Sequence, residues 1–161
     1  MSRKGKYKDQ SLVVLDVKTG RIHSGILKYK KPNGKYDNHT DYFLVIDKPT
    51  DYEKILLKLD FNLRTHLDRA FVKFKTKTSE DLFLTSLFEV DFSTKDYMCH
   101  NPENRGSVLL FSSVENAKVI AKEVVIPELI KQQKYDTEQT QKKYFEMVDD
   151  LSNLEKYLET L

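Results

Sequence analysis

The sequence has no tryptophan, one cysteine, four prolines and five glycines among its 161 residues. A single thiol, Cys99, cannot close an internal disulfide, and domains made for an oxidising compartment usually pair their cysteines. The opening residues, Met-Ser-Arg-Lys-Gly-Lys-Tyr-Lys, are basic, but no apolar stretch of signal-peptide length follows them. The longest apolar runs, Leu12–Leu15 and Tyr42–Ile46, are four or five residues, against the roughly 20 that a spanning helix needs. A cytoplasmic protein with no membrane partner is therefore expected, and the Asn38-His39-Thr40 sequon is idle there.

Catalytic and cofactor signatures are also missing. Five scattered glycines form neither a GxxxxGK[ST] nor a GxGxxG phosphate cradle, and no serine sits in a GxSxG elbow. No CxxC, HxxxH or HExxH sets up a metal site, and Cys99 and His100 are too close in sequence to close a tetrahedral one. Asp37, His39 and Asp41 alternate, so an extended segment would put them on one face. A divalent ion could use such a set, but a polar turn entering a strand has the same composition. Cys99 as a nucleophile would need an oriented base, and none can be located. The expectation is a protein that is not an enzyme and takes no cofactor or metal.

What is present is charge and a modest core. Leu, Ile, Val and Phe number 47, enough for a packed interior. Charged residues make 32% of the chain, yet the formal net charge is only +2. Lysine outnumbers arginine 22 to 5 and alanine occurs three times. That bias fits AT-rich codons and points to a low-GC bacterium, its phages or its plasmids.

The expected fold class is α+β. It comprises an N-terminal antiparallel β-meander, a central helix pair, a strand–helix unit and a C-terminal heptad-like helix. Residues 11–17 are apolar and β-branched, and Lys18-Thr19-Gly20 is a turn. Residues 21–31 alternate, Pro32-Asn33-Gly34 turns the chain again, and residues 41–47 form a third strand. A helix is expected from Thr50 or Asp51 to Leu59, with Ile55, Leu56 and Leu59 on one face. Another is expected from Asn62, with Leu63, Leu67, Ala70, Phe71 and Phe74 at helical spacing. Residues 81–92 lean toward strand, 93–106 read as loop, and 107–111 as strand. A helix capped by Ser112 and Glu115 should run from 114 to 132 and kink or split at Pro127. Residues 135–139 read as a hinge. The domain expectation is one α+β domain over 1–135 with a basic tail, then an amphipathic helix over 136–161.

In that last segment Tyr144, Met147, Leu151, Leu154, Leu158 and Leu161 recur at spacings of 3, 4, 3, 4 and 3. Such a stripe either docks on the core or joins two copies as a homodimer.

Charge divides unevenly along the chain. Residues 1–35 carry ten Lys/Arg and two Asp, net +8, and residues 136–161 carry three Lys and seven Asp/Glu, net −4. Arg3, Lys4, Lys6, Lys8, Arg21, Lys28, Lys30, Lys31 and Lys35, interleaved with Tyr7 and Tyr29, form a candidate nucleic-acid surface. Cations neutralise phosphates and aromatic faces stack on unpaired bases. On a two-stranded ribbon Lys28 and Lys30 would share a face, with Tyr29 opposite. The competing reading is that these lysines blunt an edge strand and solubilise a tail. At the other end Asp149, Asp150, Glu155 and Glu159 could occupy a basic groove on a host protein, or simply face solvent.

Gly5-Lys6-Tyr7-Lys8 and Asp16-Val17-Lys18-Thr19-Gly20-Arg21-Ile22, followed by Tyr42-Phe43-Leu44 and residues 52–74, resemble the opening of winged-helix plasmid replication initiators of Firmicutes. The resemblance implies a DNA-binding protein of a mobile element and spans about the first 75 residues. Beyond them no helix-turn-helix of that family's kind follows, so replication initiation is not carried over. The functional expectation is a non-enzymatic nucleic-acid-binding protein of a phage or mobile element, with DNA favoured over RNA as partner. The alternative is a protein-binding inhibitor or adaptor acting on a host or defence nucleic-acid enzyme.

Overall fold

The computed structural model describes residues 7–30, 41–47, 52–58, 63–76, 86–94 and 105–161. The chain divides into two compact units, Met1–Ile126 and Pro127–Leu161.

The first unit is α+β, and its strands do not stop at an open meander. Six strands, β1 (Ser11–Asp16), β2 (Ile22–Lys30), β3 (Asp41–Ile46), β4 (Tyr52–Lys58), β5 (Phe88–Thr94) and β6 (Arg105–Phe111), pair antiparallel in chain order. β6 then returns to β1, with Val14 opposite Leu110, and closes a barrel. Closure leaves no strand edge unpaired, which removes the liability that edge lysines would otherwise have to manage.

Period-two alternation decides what fills the barrel. Leu12, Val14, Leu27, Leu44, Ile55, Leu57, Val108 and Leu110 are buried in one cluster. At six strands the interior is narrow enough for side chains to pack it solid. Gly25 packs directly against the β3 backbone: a Cβ there would lie 1.8 Å from the Val45 carbonyl oxygen. At Gly106 the corresponding space holds the Phe92 ring, 2.5 Å from where a Cβ would be.

β1 and β6 are buried on both faces. Val13, Leu15, Leu109 and Phe111 alternate with the interior residues and are buried too, on the side where α3 (Val114–Ile120) packs against both strands. This explains the unbroken apolar runs in these two strands, since neither face meets water. Ser113 caps α3 by accepting from the Asn116 N–H at 3.2 Å. The cap is therefore one residue beyond the expected Ser112.

Four expectations are corrected. Residues 52–58 form β4, not a helix. Ile55 and Leu57 point into the barrel and Leu56 is half-buried on the opposite face, so apolar residues on both faces hid the strand period. The helix from Asn62 is two short helices, α1 (Leu63–His66) and α2 (Arg69–Thr76). Asp68 separates them at a positive φ of 56°. The helix expected over 114–132, with a kink or split at Pro127, does not stop at 132 but runs on as α4 (Ile126–Thr160). A π-helical turn, Ala121–Val125, precedes it, with the Ile126 N–H reaching back to the Ala121 oxygen. Finally, residues 135–139 are no hinge and lie inside α4. α4 is helical throughout, with the Thr137 hydroxyl donating to the Gln133 oxygen at 2.8 Å and the Thr140 hydroxyl to the Asp136 oxygen at 2.9 Å.

Candidate nucleic-acid interface

The outer faces of β2, β3 and β4 form a surface whose rows follow from the strand register. One row runs Ile26, Val45, Lys54, and the next Lys28, Phe43, Leu56. Ile26 and Val45 are exposed, while Phe43, Lys54 and Leu56 are half-buried. The Lys54 Nζ lies 5.2 Å from the Phe43 ring centroid, within cation–π range. Apolar groups, one aromatic face and two ammonium groups thus share one side of three strands. The inner residues of the same strands, Leu27, Leu44 and Ile55 among them, are locked in the core, so the surface rests on a rigid floor.

At the rim Lys28 Nζ is 2.8 Å from Asp9 Oδ1. The hydrogen bond from Lys28 holds the Asp9 carboxyl below its ordinary range, and the charges of Lys28 and Lys8 act in the same direction. Asp9 itself has a positive φ of 65°, and its N–H donates to the Leu27 oxygen at 2.8 Å. The residues after Tyr7 are therefore anchored to the same end of β2. Exposed Lys8 sits there beside Lys28.

The expected basic residues do not all gather. Arg21 precedes β2 at the far end from Lys28, about 23 Å away along an extended strand, beside the Asp16–Arg21 turn in which Gly20 takes a φ of 73°. Lys30 ends β2 opposite Asp41. Arg3, Lys4, Lys6, Lys31 and Lys35 lie outside the described residues, as do Asp37, His39, Cys99, His100 and the Pro32-Asn33-Gly34 turn.

Of the two tyrosines of the expected surface, Tyr7 belongs to the interior and Tyr29 is half-buried against it. Tyr7 is only 7% exposed. Its N–H donates to the Tyr42 hydroxyl, and its own hydroxyl accepts the Leu63 N–H, each at 3.2 Å. Tyr29 packs on the core cluster, its ring centroid 5.6 Å from that of Tyr42. The Tyr7 and Tyr29 rings thus both meet the Tyr42 ring, and Lys28 points to the other side of β2 from Tyr29. Sequence reasoning missed Phe43 and Lys54. The available signal was the alternation within β3, where Tyr42, Leu44 and Ile46 are buried and Phe43 and Val45 are not.

Next to this face an open depression of about 440 Å3 lies over β4, β5 and β6. Leu56, Glu89, Asp91 and Arg105 line it, and Arg105 Nε is 3.6 Å from Asp91 Oδ1. Among the described residues no group of three His, Cys, Asp or Glu could hold a metal ion, and no helix is long and apolar enough to cross a membrane.

In the second unit, Asp149, Asp150, Glu155 and Glu159 are all exposed on α4. The apolar stripe is exposed as well, from 57% at Leu151 to 86% at Leu161.

No protein-family model, curated protein or solved structure shows a significant match to the chain.

Proposed function

We propose that this is a non-enzymatic nucleic-acid-binding protein that holds single-stranded DNA on the outer face of β2, β3 and β4. The observation that carries the reading is the Lys54–Phe43 pair, set among exposed Ile26 and Val45 with Lys28 in the neighbouring row. A ring that offers a π face to a base, flanked by ammonium groups that neutralise phosphates, is the combination that sequence-tolerant single-strand binders use. Low sequence specificity follows, because the face offers few hydrogen-bonding groups to read base edges. The basic residues at positions 3–8 supply further phosphate contacts. The resemblance of residues 5–22 to replication initiators supports a mobile-element setting.

Fluorescence anisotropy of a labelled single-stranded oligonucleotide, titrated at several salt concentrations, tests the reading. Binding should weaken linearly on a log–log plot, and K28A/K54A should reduce the slope by about 1.4, from about 0.7 per phosphate contact. No binding to single- or double-stranded DNA or RNA at low salt rejects the proposal.

A further inference from the structure

We propose that α4 is a self-association helix that pairs antiparallel with a second copy of this chain. Written as a heptad with Tyr144 at a, the apolar stripe runs on to Leu161, and the equivalent positions nearer the start of α4 are the polar Thr140, Thr137 and Gln133, then the apolar Ile130 and Ile126. No residue of α4 is buried. A helix of this length with an exposed apolar seam at 3.5-residue period is built to be covered by another helix.

The flanking charges identify the occupant. Lys134 and Glu155 lie at e positions, and Lys143 and Asp150 at g positions. In an antiparallel pair e faces e and g faces g. With Tyr144 opposite Met147 of the other copy, Lys143 faces Asp150 and Lys134 faces Glu155. A two-fold axis repeats each contact, as an isologous interface requires. In the same register Leu151 and Leu154 pack over Thr140 and Thr137. A parallel pair instead sets Asp150 against Glu155 twice, which is repulsive. The opposite charges are thus distributed so that the helix complements its own reverse.

Sedimentation velocity of the full chain tests this. A dimer is expected at tens of micromolar, and L151K/L154K should give a monomer with the near-UV signal of the barrel tyrosines unchanged. Orientation is tested by charge reversal. D150K should weaken the dimer roughly three- to ten-fold, since each exposed pair contributes modestly and occurs twice. The swap K143D/D150K should restore it. A wild-type monomer at those concentrations, a dimer that survives L151K/L154K, or a 1:1 complex with a different protein in place of self-association overturns the proposal. A dimer tightened by D150K, or not restored by the swap, overturns the antiparallel pairing.

Discussion

The Asp68 carboxylate accepts both the N–H and the hydroxyl of Ser112, across 44 residues of sequence. Its Oδ1 also accepts from the Asn116 side chain at 3.3 Å, and its own N–H donates to the Leu110 oxygen at 3.0 Å. One residue in the left-handed region thus ties the α1–α2 corner to the β6–α3 junction. Asp is tolerated there because its short polar side chain bonds locally. D68A should cost about 2–4 kcal/mol, combining lost hydrogen bonds with a left-handed alanine. D68G should cost less, since glycine removes the backbone penalty. Urea unfolding measures both, and equal losses would show that the backbone conformation contributes nothing.

Tyr7 is predicted to act on stability and not on binding. Y7F removes the acceptor for the Leu63 N–H in a buried setting, a loss of about 1–3 kcal/mol. Oligonucleotide affinity of the folded variant should stay unchanged in an anisotropy titration. A Y7F protein of normal stability but weakened binding would return Tyr7 to the binding surface.

Asp9 restrains Lys28, so D9N should strengthen nucleic-acid binding and steepen its salt dependence. Asn keeps the positive φ at this position without strain, and an exposed ion pair contributes little to stability. Parallel anisotropy and melting experiments check the two halves of this prediction. Unchanged affinity would mean that Lys28 does not meet phosphate.

Two histidines set an acid limit on stability. Burial is the main cause that lowers the pKa of His23 below 6.5, opposed by Asp16 and reinforced by Arg21. Burial first, then Arg69, lowers that of His66, whose Nδ1 is buried without a hydrogen-bond partner among the described residues while its ring meets Phe88 edge-on at 4.7 Å. The unfolded chain therefore takes up protons at a higher pH than the folded one does. Stability from these groups is complete above pH 6.5 and falls as the pH drops through that value toward the lowered folded pKa values. Thermal melts across this range should show the decline, and H66N should reduce it. A melting temperature that rises on acidification through the same window would contradict the assignment.

β1, β2, β3 and β6 were legible because their patterns are local: apolar runs, alternation, and the Lys18-Thr19-Gly20 turn. Barrel closure was not, because the Val14–Leu110 pairing joins residues far apart in sequence and leaves no local mark. β4 read as a helix because Ile55-Leu56-Leu57 serves an interior and a half-covered exterior at once, which erases the period of two. Tyr7 was misplaced because lysines surround it, while its burial depends on Tyr42 and Leu63 at distant positions. Of the two lysines on the candidate face, Lys28 is legible from the positive charge of residues 1–35, whereas Lys54 lies in a segment whose apolar residues mimic helical spacing. The heptad stripe was readable because helical spacing needs no distant partner.

Single-stranded DNA on the outer face of β2, β3 and β4 is testable by amide chemical-shift mapping of the labelled protein titrated with an oligonucleotide. The largest shifts are expected at Ile26, Lys28, Phe43, Val45, Lys54 and Leu56. Shifts confined to α4 or to the Asp16–Arg21 turn, or no shifts at all, would contradict it.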